Sequence, residues 1–303
     1  MVQVWNKGGN NMNAFKKLKA SRSVFMIAGL ILLVIYTISF LFPLFWALLS
    51  SVRREIFFNP QPFAWPEEFY FENYKVVWEM MAVPTNAYGN IYMEEMFFNS
   101  ICYSVVCTIM HTLTPCIAAY AVAKYNFKFG KFMYGIVIVT MILPIVGNLP
   151  SQIQVAKFTG AYNNLFGVAV MKGHFLGTNF LIFYAAFKSL PNDYKEAAEM
   201  DGASQLQILL KIVLPLVKTT IGAIALLSFI TYWNDYTTAM IFLPDMPTIA
   251  YGLHYFTSSS LTEASSLPVK IAACTMVIIP ILIVFVIFKD KLIGNMAVGG
   301  IKG

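Results

Sequence analysis

Charge is scarce in this 303-residue chain: Asp, Glu, Lys and Arg make up 12% of it, about half the share found in an average soluble domain. Histidine is scarcer. His111, His174 and His254 are scattered along the sequence. The four cysteines, Cys102, Cys107, Cys116 and Cys274, form no C-x-x-C pair. No histidine stands at zinc-ligand spacing from them, so free thiols and no metal centre are expected. There is no G-x-x-x-x-G-K-[ST] stretch, so nothing in the chain cradles nucleotide phosphates. What is abundant is apolar side chain, 58% of residues, with a mean hydropathy of +0.65. A soluble fold of this size could not hide that surface, and the composition also excludes disorder, collagen and coiled coil. Lipid is the remaining solvent.

A spanning helix needs about 20 mainly apolar residues. Six stretches qualify: 24–49, 97–123, 132–149, 165–187, 219–243 and 269–288. The first is too long for a signal-peptide core, although Lys16, Lys17, Lys19 and Arg22 precede it. Fifteen Lys and Arg fall on one side of these runs and five on the other, with Lys172 inside the fourth. The basic side faces the cytoplasm. The net charge of +6 therefore belongs to cytoplasmic loops and not to nucleic-acid binding. The expected fold is an all-α polytopic membrane protein of six transmembrane helices with both termini cytoplasmic. Its parts are an N-terminal tail at 1–23, a membrane domain at 24–288 and a C-terminal tail at 289–303. An irregular external cap is expected at 50–96 and a polar external loop at 244–268.

The cytoplasmic segment 188–218 is the unusual one. Asp193 and Glu196 suggest a capping box. A short helix is expected to 200, with Gly202 as the left-handed residue that ends it. A second helix follows, with Leu206, Leu209, Leu210, Val213 and Val217 at helical spacing, until Pro215 breaks it. The pair could be an interfacial link between two spans, or an amphipathic element that lies in a partner's groove. Ala197 and Ala198 are small enough for another chain to approach closely.

The identities select the second. Glu196-Ala197-Ala198, three residues, Gly202, nine residues, then Ile212-x-Leu214-Pro215 resembles the EAA signature of ATP-binding-cassette importer permeases. Further segments are similar to the carbohydrate-type permeases, relatives of the smaller maltose permease subunit. These are Phe71-Glu72-Asn73-Tyr74 with Trp78, Asn99-Ser100, Ala118-Ala119-Tyr120-Ala121, the paired Pro144 and Pro150, Trp233-Asn234-Asp235-Tyr236, and the closing Gly299-Gly300-Ile301-Lys302-Gly303. The resemblance implies a second permease subunit, usually a different chain. It also implies two cytoplasmic ATPase subunits that bind ATP and Mg, and a separate solute-binding protein outside the bacterial plasma membrane. This chain itself would hold no cofactor and catalyse nothing.

By the same resemblance, Glu196, Ala197, Ala198, Asp201 and Gly202 form the turn that docks on the ATPase, and Ile212, Leu214 and Pro215 anchor it. Gly299, Gly300, Lys302 and Gly303 reach the ATPase from the tail. Tyr251, His254, Tyr255 and Ser259 lie in the loop that meets the binding protein. Within the membrane, a charged group costs about 2.5–3.5 kcal/mol and usually faces a cavity or a partner. Asp235, with Trp233, Asn234 and Tyr236, offers hydrogen bonds and ring faces suited to sugar; it either lines the pathway or makes a structural kink. If it lines the pathway, Asp235→Asn is expected to hold or raise stability, since a buried charge is removed. Lys172 either faces the pathway or snorkels outward where the fourth helix bends. Other solutes, such as a peptide, amino acid or ion, fit the same architecture. A membrane-embedded enzyme would need clustered catalytic groups, and an ion-coupled transporter would need repeated, interrupted halves.

Overall fold

In the computed structural model the apolar runs are helical, because intrahelical bonds satisfy every backbone N–H and C=O away from water. The structure describes the backbone of residues 2–125, 127–143, 147–258 and 266–296, and the side chains of 25–125, 127, 129–143, 147–258 and 266–288. Helix α1 runs over Val2–Ser51, followed by short α2 (Glu55–Phe58) and α3 (Glu72–Met80). An antiparallel hairpin, β1 (Ala82–Thr85) and β2 (Gly89–Tyr92), pairs Ala82 with Tyr92 and Thr85 with Gly89. It is the exception to the all-α expectation. Then come α4 (Met93–Lys124), α5 (Lys128–Ile142), α6 (Leu149–Phe158), α7 (Leu165–Lys172), α8 (Thr178–Ser189) and α9 (Asp193–Met200). Next are α10 (Gln205–Ile208), a π turn (Leu209–Val213), α11 (Leu214–Leu216), α12 (Lys218–Trp233), α13 (Tyr236–Phe242), α14 (Ile249–Ser258) and α15 (Leu267–Met296).

Among the described residues three helices are long and apolar enough to cross a membrane: Phe25–Ser51, Met93–Lys124 and Leu267–Phe288. The bent pair Gln205–Leu216 and Lys218–Trp233 makes a fourth if it is one span. The other expected runs are interrupted. The third yields only α5, 15 residues, which is about 23 Å and short of a roughly 30 Å hydrocarbon core. Its last residue, Leu149, is the first of α6. The fourth run is split between Lys172 and Thr178, where Gly173 and Gly177 stand at the two helix ends. The fifth is split at Asn234-Asp235. The expected loop at 244–268 holds α14, whose Ile249, Gly252 and Phe256 are buried.

Helix α4 is the mast of the bundle, with α12, α8 and α7 packed along it. Ser100, Ser104, Thr108 and Thr112 recur every fourth residue on α4 and are all buried. Such small residues let neighbouring helices approach closely. The hydroxyls of Ser104, Thr108 and Thr112 have no hydrogen-bond partner among the described residues. Three cores follow the mast. One joins the hairpin, α3, α14 and α15 around Trp233, with Met81, Met93 and Met96 fully buried. A second joins α4, α6, α7 and α13 through Tyr103, Val168 and Phe242. The third, at the far end of α4, joins Tyr120 and the α8 phenylalanines to residues 198–217.

The turn between α6 and α7 is tight. A Cβ on Gly167 would lie 2.5 Å from Ala161 Cα, a backbone atom that cannot swing away. Gly167→Ala is expected to destabilise by about 1–3 kcal/mol, the usual cost of overpacking. Thermal unfolding in detergent measures it, and an unchanged midpoint would contradict this packing.

Candidate functional site

Residues 193–216 fold as a helix, a turn and a second, irregular helix. Helix α9 begins after Asn192, which makes no side-chain cap; the expected box at Asp193 and Glu196 is absent. Both acids still favour the positive end of the helix dipole. The capping box forms instead at Ser204, whose Oγ accepts from Gln207 N at 3.3 Å while Ser204 N donates to Gln207 Oε1 at 2.9 Å. Between the two helices Gly202 has φ +78°. Its N–H donates to Glu199 O at 3.0 Å, and Ala203 N–H donates to Ala198 O at 2.9 Å. These two bonds make a Schellman turn, which needs a left-handed residue at Gly202. Its Cβ position is open, with nothing within 4 Å, so close packing within the chain is not the reason for glycine.

The second helix does not stop at Pro215. It widens into the π turn Leu209–Val213 and continues through Pro215 to Leu216. Pro215 has no N–H for the Lys211 carbonyl and its ring would press on it; the wider turn makes room. The axis then bends by 75° into α12.

The element has two faces. Glu196, Ala197, Asp201, Gly202 and Pro215 are exposed, and Met200 is 89% exposed. Tyr194, Leu206 and Leu210 are also exposed, an apolar surface of the kind that marks an interaction site. Ala198, by contrast, is 7% exposed and shares a core with Ile208, Val213, Phe183 and Phe187. Its small size serves packing within the chain, not approach by a partner. Ile212 and Leu214 are half-buried against the same core. Polar ties hold the element to the end of α4. Lys124 Nζ donates to Leu190 O at 2.6 Å and to Asn192 Oδ1 at 3.0 Å. Tyr125 OH donates to Gln205 Oε1 at 2.6 Å, and Lys195 Nζ lies 4.4 Å from the Tyr125 ring centroid.

Midway along α4 the two helix interruptions meet. Asp235 N-caps α13, its Oδ1 accepting from Thr238 N at 3.0 Å. Its Oδ2 accepts from Tyr103 OH at 2.9 Å and lies 3.5 Å from Lys172 Nζ. Lys172 Nζ also donates to Thr238 Oγ1 at 2.8 Å. Lys172 therefore does not snorkel outward; it turns inward to a counter-charge. Trp233 is buried, its Nε1 donating to Val277 O at 3.2 Å, and belongs to the core. Asn234 and Tyr236 are exposed. His111 and His174, far apart in sequence, have ring centroids 5.8 Å apart, and His111 Nδ1 is 3.1 Å from Lys172 O. Among the described residues no group of three His, Cys, Asp or Glu could hold a metal.

At the other end of α4, His254 on α14 stacks on Tyr236 with centroids 4.5 Å apart, which joins two residues chosen for different roles. Tyr255 is exposed and Tyr251 packs on the core beside the hairpin. Ser259, Gly299, Gly300, Lys302 and Gly303 lie outside the described residues. Nearby, Asp245 accepts from Asn163 Nδ2 at 2.7 Å, and Asp245 N donates to Asn163 Oδ1 at 3.2 Å. The pair borders a cleft of about 560 Å³ with Glu95, Asn99 and Tyr88. The sequence offered weak signs of this cleft, Asn163 before an apolar run and Asp245 between Pro244 and Pro247. For Tyr103 and Thr238 it offered none.

Residues 111–297 match the family described as binding-protein-dependent transport system inner membrane component. The chain is 25% identical over 272 residues to the diacetylchitobiose uptake system permease protein NgcG of Streptomyces coelicolor, covering 88% of this chain and 86% of that protein. It is 26% identical over 270 residues to the sulfoquinovosyl glycerol transport system permease protein SmoH of Agrobacterium fabrum, covering 87% and 89%. It is 23% identical over 290 residues to the melibiose/raffinose/stachyose import permease protein MelC of Bacillus subtilis, covering 94% and 100%. Among solved structures, a chain of a bacterial ABC transporter involved in the import of the acidic polysaccharide alginate superposes with a TM-score of 0.72 at 25% identity, covering 89% of this chain and 97% of that one. With more than half of its residues matched, and with the helical breaks and exposed turn described above, the chain belongs to the inner-membrane component family of binding-protein-dependent transport systems.

Proposed function

We propose that the chain is a transmembrane permease subunit of an ATP-driven, binding-protein-dependent importer, and that its cargo is a sugar or oligosaccharide moved into a bacterial cytoplasm. The observation that carries the coupling role is the two-faced element 193–216. Its exposed face, with Glu196, Ala197, Asp201 and Gly202 around Met200, suits a cleft on a partner ATPase. Its buried face shares a core with α4 and α8. Close-packed interiors resist compression. A pull on the exposed face therefore moves α8 and α4 as bodies, and the 75° bend into α12 turns that motion along the membrane. The saccharide cargo is supported by the relatives named for saccharide uptake, and by the exposed amide and aromatic groups at Asn234 and Tyr236.

In this reading the chain crosses the membrane six times, the interrupted runs 165–187 and 219–243 each counting as one bent span. Both termini and 188–218 are cytoplasmic, and 50–96 and 244–268 are external. The tail residues 289–303 lie beside the ATPase. The second permease subunit is a different chain. ATP and Mg bind on two ATPase subunits, and a solute-binding protein delivers cargo at the external loops. The complex sits in the plasma membrane as a multi-pass protein.

Uptake of a labelled oligosaccharide into proteoliposomes holding the copurified complex tests the function. Uptake that needs both ATP and the binding protein is expected. A complex that carries no ATPase, or that moves amino acids but no saccharide, would overturn it. Orientation is tested separately. A cysteine at Lys195 is expected to react with an impermeant maleimide only from the cytoplasm, and one at Glu67 only from outside. External reaction at 195 would reverse the topology.

A further inference from the structure

Beside the docking element, at the same end of the bundle, lies a cleft of about 370 Å³ between the end of α4, the start of α5 and the end of α8. Lys124, Lys131 and Lys188 line it together with Tyr125, Tyr134 and Tyr184, and among the described residues no carboxylate does. From its chemistry we infer that this cleft binds the phosphate headgroup of an anionic glycerolipid. The inference of leaflet rests on the orientation proposed above, whereas the choice of ligand does not.

Each cation has a defined state. Lys124 is anchored by Leu190 O and Asn192 Oδ1, so its charge is held at the cleft wall. Lys188 Nζ lies 3.3 Å from Tyr184 OH and over that ring. Lys131 is exposed and has no acceptor or acidic partner among the described residues. Lys195, on the neighbouring α9, is already paired with Glu199 at 3.6 Å. Three ammonium groups around one concavity with no acid repel one another and draw an anion. Tyr134 and Tyr184, ring centroids 4.8 Å apart, add hydroxyl groups that can donate to phosphate oxygens. A basic pocket at the ends of membrane helices is the usual setting for an anionic headgroup.

The lining favours lipid over free phosphate. Val122, Ala123 and Phe127 line the same cleft beside the lysines, and Phe127 is exposed. They give the cleft an apolar wall at the ends of two helices. A phosphodiester with acyl chains matches both the polar and the apolar lining, and an inorganic anion matches the polar part alone.

Native mass spectrometry of the whole transporter with its partner subunits, titrated with phosphatidylglycerol or phosphatidylcholine, tests the site without nucleotide or cargo. A failed transport assay therefore leaves it untouched. The wild type is expected to retain phosphatidylglycerol in preference to phosphatidylcholine. Lys131→Gln with Lys188→Gln is expected to weaken phosphatidylglycerol retention about 30-fold, each lysine contributing about as much as one near an anionic surface. Lys131→Gln alone, on an exposed side chain, is expected to weaken it about fivefold by the same reasoning. Lys131→Arg with Lys188→Arg keeps the charge and is expected to keep the lipid. Equal retention of the two lipids, retention unchanged by both glutamine variants, or displacement of the lipid by millimolar inorganic phosphate would each overturn the inference.

Discussion

Gly202→Val is expected to leave the protein in the membrane at normal abundance while transport falls by about 5- to 30-fold. The backbone there has φ +78°, a region in which a side-chain Cβ crowds the following carbonyl and costs about 1–2 kcal/mol. A β-branched side chain suffers most. The strain acts on the one turn that holds α9 against α10, where Gly202 and Ala203 donate to Glu199 and Ala198. Loss of that turn rotates Glu196 and Ala197 away from the docking face. Gly202→Asn is the control, because asparagine tolerates the left-handed region. It is expected to retain most transport. Among the described residues beyond its two neighbours nothing lies within 4 Å of a Cβ at Gly202, so the Cβ itself meets no clash inside the subunit. Uptake measured with ATPase copurification separates the cases. Full transport by the valine variant would remove the docking role from this turn.

Asp235→Asn is expected to lower stability by about 1–3 kcal/mol, less than the roughly 3–5 kcal/mol of a fully buried broken pair, because both side chains retain some access to solvent. Asparagine can still cap α13 through one oxygen. Its amide then faces the Lys172 ammonium, which has lost its counter-charge at 3.5 Å, and the acceptor for Tyr103 OH is lost as well. Lys172→Met leaves the carboxylate uncompensated and is expected to cost a similar amount. The double variant is expected to recover part of both losses, since residues in one network couple by about 0.5–3 kcal/mol. Thermal unfolding of the four proteins in detergent closes the cycle. Additive losses would show that the pair does not bind the two helix interruptions together.

That expectation departs from the one drawn from sequence for an Asp235 that lines the pathway, and the reason is spatial. A lone Asp in an apolar run shows its cost but not its partner. Lys172 and Asp235 belong to runs expected as separate unbroken helices, and only the breaks after Lys172 and at Asn234 bring the charges together. The docking element was far more legible. Its information is local: Gly202 and the spacing to Leu214-Pro215 lie within one stretch, and a Schellman turn depends on four neighbouring residues. Ala198 shows the limit. Its position in the motif was plain, but its inward direction depends on Phe183 and Phe187 from α8. The hairpin at 82–92 was hidden because its strands are four residues each and Pro84 argues against a strand. It is tolerated in a two-stranded sheet, which is all edge. Helix α14 was hidden by its Ser, Thr and Tyr, which read as loop until its own Ile249 and Phe256 are seen packed into the core around Trp233.

The coupling role rests on contact between this chain and a nucleotide-binding partner at one surface. A photo-crosslinking amino acid placed at Ala197, which is exposed beside the turn, measures it in membranes holding the assembled transporter. The expected product is a covalent adduct with the ATPase subunit, whose yield changes on addition of ATP. A crosslinker at Phe63 on the opposite face of the bundle, exposed in the segment after α2, is expected to give none. Adducts at Ala197 with lipid alone, or ATPase adducts at Phe63 instead, would contradict the assignment of residues 193–216 as the surface through which ATP hydrolysis moves this subunit.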